Sequence, residues 1–409
     1  SMSKKNIIVG QSGGPTAVIN SSLYGVVTEG LRNKDKVDKV YGMLNGIEGF
    51  LKGNMIDFEK DLSKSDLELL TTTPAAFLGS CRYKLPESID DPVYPKLFEK
   101  FEELNIGYFF YIGGNDSMDT VSKLSRYAKK VNSDIRFIGE PKTIDNDLVL
   151  TDHTPGFGSA AKYVATTVRE ITLDANVYDT KSVTIVEIMG RHAGWLTAAS
   201  VLARKHVGDN PLLIYLPEVV FDVDKFISQV EEALEKVNNL VVCISEGIKD
   251  KDNVFISEYE DGTVEVDKFG HKMLSGSGKY LEKLCKKRLG VKVRSVELNV
   301  SQRCSSTMMS DTDRKEAIMA GEFGVRSALE GETGKMVSFV RKSDDPYELV
   351  CGLEDVNEIC NKEKPVPVEW IINDGSDISE EFVKYAKPLI QGNVDVPLGS
   401  DGLPNFIYR

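Results

Sequence analysis

The chain has 409 residues, of which 41% are hydrophobic and 28% charged, so neither a disordered chain nor a coiled rod fits. At about 150 residues per domain, this length predicts two domains. The net charge is −13 at pH 7. Because an acidic surface repels phosphate polymers, nucleic acid is not expected as the main partner, although a local basic pocket could still bind a small phosphorylated ligand.

The apolar runs are far shorter than the roughly 20 residues that span a bilayer, so no membrane association is expected. The six cysteines contain no CxxC pair, and no secretion signal precedes the first predicted strand. We therefore expect reduced thiols and a cytoplasmic protein. The four histidines show no HExxH spacing, which argues against a zinc enzyme.

Short apolar strands alternate with helical stretches along the chain. A helix is predicted over residues 224–238, where apolar residues recur with helical spacing. Unalternating strands of this kind are typical of parallel sheets that are buried on both faces, so the fold class is α/β. The predicted strands cover residues 6–9, 108–112, 136–139, 183–188, 212–216, 240–245 and 293–298.

Polar, glycine-rich loops follow several of these strands. In open α/β sheets, ligands bind beyond the carboxyl ends of the strands. The loops therefore predict one composite site or a cleft between two sheets.

Residues 12–16, SGGPT, follow the first strand and lead into a helix-compatible run. A glycine turn at a helix N-terminus presents N–H groups to an anion. An ordinary tight turn explains the motif equally well, because neither GxGxxG nor a Walker A loop is present.

Residues 113–117, GGNDS, repeat the pattern after the next strand. The Asn115 side chain offers an oxygen suited to a hard cation. Asp116 is unusual in a phosphate loop because it repels the ligand, and capping of the next helix is an equally good explanation.

Residues 142–147, KTIDND, carry the densest chemistry. Alternation in an extended segment would place Asp145 and Asp147 on one side, with Lys142 nearby. A carboxylate that takes a proton from an alcohol, beside a cation that neutralises phosphate, is what phosphoryl transfer requires. A polar turn is the alternative.

Arginines at loop mouths are candidate phosphate ligands because a guanidinium binds phosphate through two hydrogen bonds. A lone arginine is more often a solvated surface charge. These candidates are Arg82, Arg191, Arg294 and Arg303. His192, just before a predicted helix start, is interpreted as structural.

Taken together, these motifs resemble those of the phosphofructokinases, over residues 7 to about 313. The matching segments, all in the family's order, are GSCR (79–82), GGNDS (113–117), PKTIDND (141–147), TIVEIMGR (184–191) and QR (302–303).

The resemblance implies two Rossmann-like three-layer domains with mostly parallel sheets and an active site in the cleft between them. It implies a donor domain of residues 1–155 plus about 301–350. A fructose 6-phosphate domain would comprise residues 156–300 plus about 351–409.

The resemblance also implies roles for individual residues in phosphorylation of the 1-hydroxyl of fructose 6-phosphate. Asp145 corresponds to the catalytic base, with Lys142, Asp116 and Arg191 in the catalytic set. Donor phosphates would contact Gly14, Arg82 and Lys142. Substrate contacts would come from Thr143, Asp145, Asp147, Met189, Gly190, Arg191, Glu246, Arg294 and Arg303, with Arg294 reaching a neighbouring subunit in tetrameric relatives.

The pair Asp116 and Lys142 resembles the pyrophosphate-dependent branch, whereas ATP users typically carry Gly at position 116 and many carry Gly at position 142. A carboxylate at 116 would repel the α-phosphate of ATP, and Lys142 would stabilise pyrophosphate. This similarity implies a reversible step of glycolysis and gluconeogenesis, a Mg²⁺ cofactor and a homo-oligomer, either dimer or tetramer.

Two departures from the family pattern bear on these expectations. Asn115 replaces an Asp that usually helps to hold magnesium, so we predict it only as a weaker or water-mediated metal ligand. Val300 replaces a His or Tyr near the sugar phosphate. An ATP-dependent enzyme and a non-catalytic regulatory subunit remain alternatives, whereas the missing GxGxxG argues against a dinucleotide-dependent oxidoreductase.

Overall fold

Two separate β-sheets organise the chain in a computed structural model that describes residues 3–261, 265–266, 272–273 and 276–409. The strands are β1 (Lys5–Gln11), β2 (Val37–Met43), β3 (Met55–Asp57), β4 (Ile106–Gly113), β5 (Arg136–Pro141), β6 (Ser182–Ile188), β7 (Leu213–Tyr215), β8 (Asn239–Ser245), β9 (Glu265–Val266), β10 (Lys272–Met273), β11 (Lys292–Glu297), β12 (Lys335–Asp344), β13 (Tyr347–Asp355), β14 (Ile371–Ile372) and β15 (Asp377–Ile378). The first sheet has the strand order β13-β12-β5-β4-β1-β2-β3, and the second has the order β11-β6-β8-β7.

Helices connect the strands. The helices are α1 (Ile19–Arg32), α2 (Gly46–Leu51), α3 (Phe58–Asp61), α4 (Lys64–Leu69), α5 (Val93–Glu103), α6 (Asn115–Lys130), α7 (Phe157–Ala175), α8 (Trp195–Ala198), α9 (Val223–Lys236), α10 (Glu258–Asp261), α11 (Ser277–Leu289), α12 (Ser301–Cys304), α13 (Asp311–Leu329) and α14 (Glu380–Ala386). Short 3₁₀ segments lie at Leu70–Thr72, Ala199–Ala203, Val356–Glu358, Val368–Trp370 and Lys387–Ile390.

Most strand pairs are parallel, as the unalternating apolar runs predict. In the first sheet, β1 pairs in parallel with β2 and β4, β4 with β5, and β5 with β12. Only its two edge strands, β3 and β13, pair antiparallel. The second sheet is parallel throughout. Each of the seven predicted strands is present, and the predicted helix 224–238 corresponds to α9.

Each sheet lies between two layers of helices. Ile7 and Val9 of β1 pack toward α1 and α13, whereas Ile8 between them packs toward α5 and α6. In the second sheet, one face is covered by α7 and α14 and the other by α9 and α11. Both faces of the strands are therefore removed from water, which explains why their sequences do not alternate. The predicted α/β class and three-layer arrangement are confirmed.

The end of the chain contacts both sheets. Strand β13 extends the first sheet to Asp355, α14 packs on the second sheet, and Ile407 returns to the core of the first. The Ile407 N–H donates to Thr73 Oγ1 over 3.1 Å. The resemblance implies that residues 351–409 belong to the second domain, and these domain boundaries stay a prediction.

Candidate active site

The loops at the carboxyl ends of both sheets surround a cleft of about 570 Å³. Loops that follow β1, β4 and β5 of the first sheet meet loops that follow β6 and β8 of the second. Most of the predicted site residues line this cleft: Gly14, Arg82, Asn115, Asp116, Lys142, Thr143, Asp145, Asp147, Met189, Arg191, Glu246 and Arg303.

The loop after β1 turns at Gly13, whose φ of 77° suits glycine. Helix α1 begins only at Ile19, so four residues separate Gly14 from its first turn. The helix expected after this glycine turn is therefore present, but its first turn does not adjoin Gly14. An anion near Gly14 would meet loop N–H groups instead.

The loop after β4 does lead directly into a helix. Gly114 is the N-cap residue of α6, and Asn115 is its first helical residue. Asp116 lies in the first turn, and α6 has no side-chain hydrogen bond at its N-cap. The alternative that Asp116 caps the helix is therefore wrong, and its carboxylate lines the cleft instead.

The loop after β5 carries two aspartates into the cleft by a turn rather than by an extended segment. Asn146 has a φ of 55°, so the backbone turns between Asp145 and Asp147. Asp145 is further fixed because its N–H donates to Thr143 Oγ1 over 3.0 Å. Both carboxylates still line the cleft, although the geometric reason given for this from the sequence does not hold.

Buried hydrogen bonds hold this loop from behind. Asn146 Oδ1 accepts from the Thr154 N–H over 2.9 Å, and Asn146 Nδ2 donates to Tyr385 Oη over 2.8 Å. Tyr385 Oη in turn donates to the Asp152 carbonyl over 2.6 Å. These contacts join two distant parts of the chain behind the loop and orient Asp145 and Asp147 toward the cleft.

The two aspartates favour the protonated state more than exposed carboxylates do. Burial raises the pKa of Asp145, and the Arg191 and Lys142 cations counteract this rise. Burial also raises the pKa of Asp147, and the nearby Asp145 and Glu363 carboxylates raise it further. A carboxylate with a raised pKa is the better proton acceptor at neutral pH, which suits a general base.

Three cations gather around Gly14. Lys142 Nζ donates to the Gly14 carbonyl over 2.6 Å. A Cβ placed on Gly14 would lie 3.1 Å from Arg303 Nη1 and 3.6 Å from Arg82 Nη2. A Cβ at position 14 would be in tight contact with Arg303, and the cluster of cations suits a polyanion.

Lys142 is almost fully buried, with 4% of its surface exposed. Burial lowers its pKa to about 7, and the Arg82 cation contributes to this decrease. Burial likewise lowers the pKa of Arg303, again with a contribution from Arg82. An anionic ligand would restore the charged form of Lys142, so binding and protonation favour one another.

The second sheet contributes a turn and a carboxylate. Gly190 has a φ of 129°, and a Cβ there would lie 2.6 Å from the Ala193 carbonyl oxygen, so glycine is required. The Gly190 N–H donates to Glu246 Oε1 over 3.1 Å, and the Met189 N–H donates to Gln302 Oε1 over 3.2 Å. Burial raises the pKa of Glu246 to about 8.

The described residues contain no group of three His, Cys, Asp or Glu side chains placed to hold a metal ion. Both ends of the Asn115 amide are already hydrogen-bonded: Nδ2 donates to the Lys362 carbonyl, and Oδ1 accepts from the Asn361 N–H. Its oxygen therefore has one lone pair left for a cation, and the metal-ligand role stays a prediction.

Comparison with known proteins identifies the family. The family model described as "Phosphofructokinase" matches residues 6–328. The chain belongs to the phosphofructokinase family.

Similar members of this family carry more specific names. A "Pyrophosphate--fructose 6-phosphate 1-phosphotransferase" of Halomonas elongata is 40% identical over 98% of this chain and 96% of its own length. A pyrophosphate-dependent phosphofructokinase structure from Marinobacter aquaeolei has a TM-score of 0.88 and 37% identity, and it covers 98% of this chain and 95% of the other. One from Nitrosospira multiformis has a TM-score of 0.89 and 35% identity, with coverage of 99% and 96%.

Two of the predicted residues, Gly190 and Arg294, are not among those that line the cleft of this chain. Arg294, on β11, has 56% of its side chain exposed, and its Nη1 lies 3.9 Å from Asp174 Oδ2. This position accords with the implied contact to a neighbouring subunit, which stays a prediction.

Three residues that line the cleft were missed or misread in the sequence. His192 is exposed at the cleft rather than packed in the core. Asn361 and Glu363 come from the segment after β13, for which no role was predicted. Local spacing carried no signal for these two, because long-range contacts bring them there.

No helix in the described part of the chain has the length and apolar character needed to cross a membrane.

Proposed function

We propose that this phosphofructokinase transfers a phosphoryl group from pyrophosphate to the 1-hydroxyl of D-fructose 6-phosphate, reversibly, in glycolysis and gluconeogenesis. The observation that carries the donor assignment is the pairing of Asp116, in the first turn of α6, with buried Lys142 in one cleft. The names of the similar proteins support both substrates.

The first sheet would form the donor domain. Gly14, Arg82 and Lys142 would bind the pyrophosphate. The Arg82 and Lys142 cations would neutralise charge on the leaving phosphate. Asp116 would exclude ATP by repelling its α-phosphate. Arg303 lies beside Gly14, so it would contact the transferring phosphoryl group as well as the sugar phosphate.

The second sheet would form the main part of the sugar phosphate domain. Glu246 would accept hydrogen bonds from sugar hydroxyls, and Met189, Gly190 and Arg191 would bracket the sugar. Thr143 would hold the loop that presents Asp145 to the substrate.

In the reaction, the C1 oxygen attacks the nearer phosphorus of pyrophosphate, and the bond from that phosphorus to the bridging oxygen breaks. Asp145 accepts the proton of the C1 hydroxyl, and orthophosphate leaves with the bridging oxygen. In the reverse direction, protonated Asp145 returns the proton to the same oxygen.

A Mg²⁺ ion fits the oxygen ligands that are present. Asp147 shares the cleft with Asp145, and these carboxylates repel one another, so a cation between a carboxylate and donor phosphates would be favourable. Because Mg²⁺ needs only one or two protein carboxylates when phosphates complete its shell, Asp147 is the candidate ligand, and Asn115 a weaker one. The ion would neutralise phosphate charge.

We further propose a cytoplasmic homo-oligomer, either a dimer or a tetramer. The exposed Arg294, which does not line the cleft of its own chain, supports this, because its guanidinium could contact a second copy as well as Asp174.

A donor assay tests the proposal. Purified protein with Mg²⁺ and fructose 6-phosphate should form fructose 1,6-bisphosphate with pyrophosphate at a kcat/KM at least about 100-fold higher than with ATP. Higher activity with ATP would establish an ATP-dependent enzyme. Inactivity with both donors, despite a folded protein, would favour a regulatory subunit.

A further inference from the structure

The segment after β13, residues 356–366, crosses from the first sheet to the second beside the cleft; we refer to it as the strap. At its start, Val356 and Ile359 are buried in the core of the first sheet. Ser122 Oγ, on α6, donates to Asn357 Oδ1 over 2.6 Å. The strap is therefore anchored on the donor side of the cleft.

At its far end, the strap is attached to the catalytic loop and to the second sheet. The Lys364 N–H donates to the Asp147 carbonyl over 2.8 Å. The Lys364 carbonyl accepts from Trp195 Nε1 over 2.9 Å, and the Val366 N–H donates to Glu218 Oε2 over 2.8 Å. These contacts fix the strap at the catalytic loop.

Between these anchors, residues 361–363 are exposed to solvent and are held by Asn115. The Asn115 side chain donates to the Lys362 carbonyl and accepts from the Asn361 N–H over 2.5 Å. An Asp at position 115 could accept from that N–H but could not donate to the carbonyl. The amide is therefore matched to the strap backbone in a way that the family's usual carboxylate is not.

The Asn115 contact places the strap beside the donor end of the cleft. Asn361 and Glu363 line the cleft together with Asp116, which follows Asn115 directly on α6. A donor longer than pyrophosphate needs space and positive charge beyond the leaving phosphate. At this end of the cleft it would instead meet the strap backbone and the carboxylates of Glu363 and Asp116, which repel phosphate.

We infer that the strap limits the length of the phosphoryl donor, and that Asn115 is the positioning residue that latches it. This inference rests on the proposed function and extends it, because it adds a donor-selecting element to Asp116 and Lys142.

Inorganic tripolyphosphate tests the inference, since it lengthens pyrophosphate by one phosphate without adding a nucleoside. For Asn115→Ala, we expect the ratio of kcat/KM for tripolyphosphate to that for pyrophosphate to rise at least about 10-fold. Lys362→Ala is the matched control: it removes a neighbouring side chain but keeps the carbonyl to which Asn115 donates, and its ratio should stay within about twofold of wild type.

Amide hydrogen exchange at Asn361 provides a readout that does not depend on activity. Exchange should be faster in Asn115→Ala than in wild type and unchanged in Lys362→Ala. Unchanged exchange in Asn115→Ala would show that Asn115 does not hold the strap in place. Faster exchange with an unchanged donor ratio would overturn donor selection by the strap.

A second variant decides the question if Asn115→Ala does not fold. The double variant Asn361→Gly with Glu363→Ala removes both strap side chains from the cleft but keeps the Asn361 N–H, and glycine accepts the φ of 67° at position 361. The donor ratio should rise here too, and an unchanged ratio would overturn the inference. A wild-type protein that does not use pyrophosphate would instead refute the proposed function, while the exchange result would still report on the latch.

Discussion

Asp145 combines three properties expected of a catalytic base: it lines the cleft, its backbone is fixed by Thr143, and burial raises its pKa. Arg191 and Lys142 limit that rise, so the carboxylate can still ionise. The balance between burial and nearby cations, rather than the residue type alone, makes Asp145 suitable for proton transfer at neutral pH.

We predict that Asp145→Asn lowers kcat by at least about 100-fold, because an amide cannot accept the proton. The KM for fructose 6-phosphate should change little, since binding uses other groups. Steady-state kinetics with pyrophosphate measure both constants, and the exposed carboxylate variant Asp179→Asn is the control. A kcat within about threefold of wild type would show that Asp145 is not the base.

The second residue-scale prediction concerns donor choice. Asp116→Gly should allow measurable ATP binding, because it removes a like charge beside the nucleotide phosphates. Lys142→Gly should lower pyrophosphate turnover by about 100-fold, as expected for loss of one well-placed charge. The double variant should use ATP better than either single variant.

Kinetics and ATP titration of these three variants provide the measurement, with Asp134→Gly as an exposed control beyond the other end of α6. If Asp116→Gly gains no ATP binding, the repulsion argument is wrong.

At the scale of elements, buried ion pairs support the catalytic loop from behind. His153 Nδ1 lies 2.8 Å from Asp152 Oδ2, and its Nε2 lies 2.7 Å from Glu316 Oε1 on α13. Burial by itself would lower the pKa of His153, but the Glu316 and Asp152 carboxylates outweigh this and raise it to about 9. The imidazolium therefore joins α13 to the segment that leads into α7.

This ion pairing predicts a pH-dependent stability. Because the folded pKa of His153 is raised from 6.5 to about 9, its contribution is full below about pH 6.5 and is lost as pH rises through about 9. The difference corresponds to at most about 3 kcal/mol. Urea unfolding of wild type and His153→Gln between pH 6 and 10 should show a gap in unfolding free energy that narrows as pH rises.

His206→Gln is the matched control, since 74% of the His206 side chain is exposed. It should leave the pH profile of wild type unchanged. A gap for His153→Gln that stayed constant with pH would mean that His153 acts through packing rather than through its charge.

At the scale of the whole molecule, substrate binding involves both sheets. The cleft lies between their loops, the strap crosses from one sheet to the other, and the end of the chain contacts both. A donor that contacts loops from β1, β4 and β5 and approaches the strap should stabilise the folded state as a unit.

We predict that pyrophosphate with Mg²⁺, at about 100 times its Kd, stabilises the protein by about 2.7 kcal/mol and raises its Tm by a few degrees. Thermal unfolding followed by circular dichroism measures this shift. ATP at the same concentration should raise the Tm less in wild type and more in Asp116→Gly. Equal shifts with both donors in wild type would contradict donor selection in the cleft.

The fold class and five of the loops that line the cleft could be predicted from the sequence. The apolar runs predict strands buried on both faces, and such strands pair in parallel with their carboxyl ends at one edge. The polar loops after β1, β4 and β5 then lie at one edge of the first sheet, and those after β6 and β8 lie at one edge of the second. For this reason, residues 128 positions apart, such as Gly14 and Lys142, could be placed at one edge of the first sheet from the sequence. The packing of the two sheets brings these edges together around the cleft.

The contacts behind the catalytic loop and the contacts that hold the strap beside the cleft depend on the tertiary structure. Asn115 meets Asn361 and Lys362 across about 246 positions, and Asn146 meets Tyr385 across 239, contacts that no local pattern encodes. The turn at Asn146, the exposure of His192 and the lowered pKa of Lys142 likewise depend on what packs around each residue. Periodicity reports which face of a strand or helix is buried, whereas burial of a charge and pairing of a polar group arise only when distant segments meet.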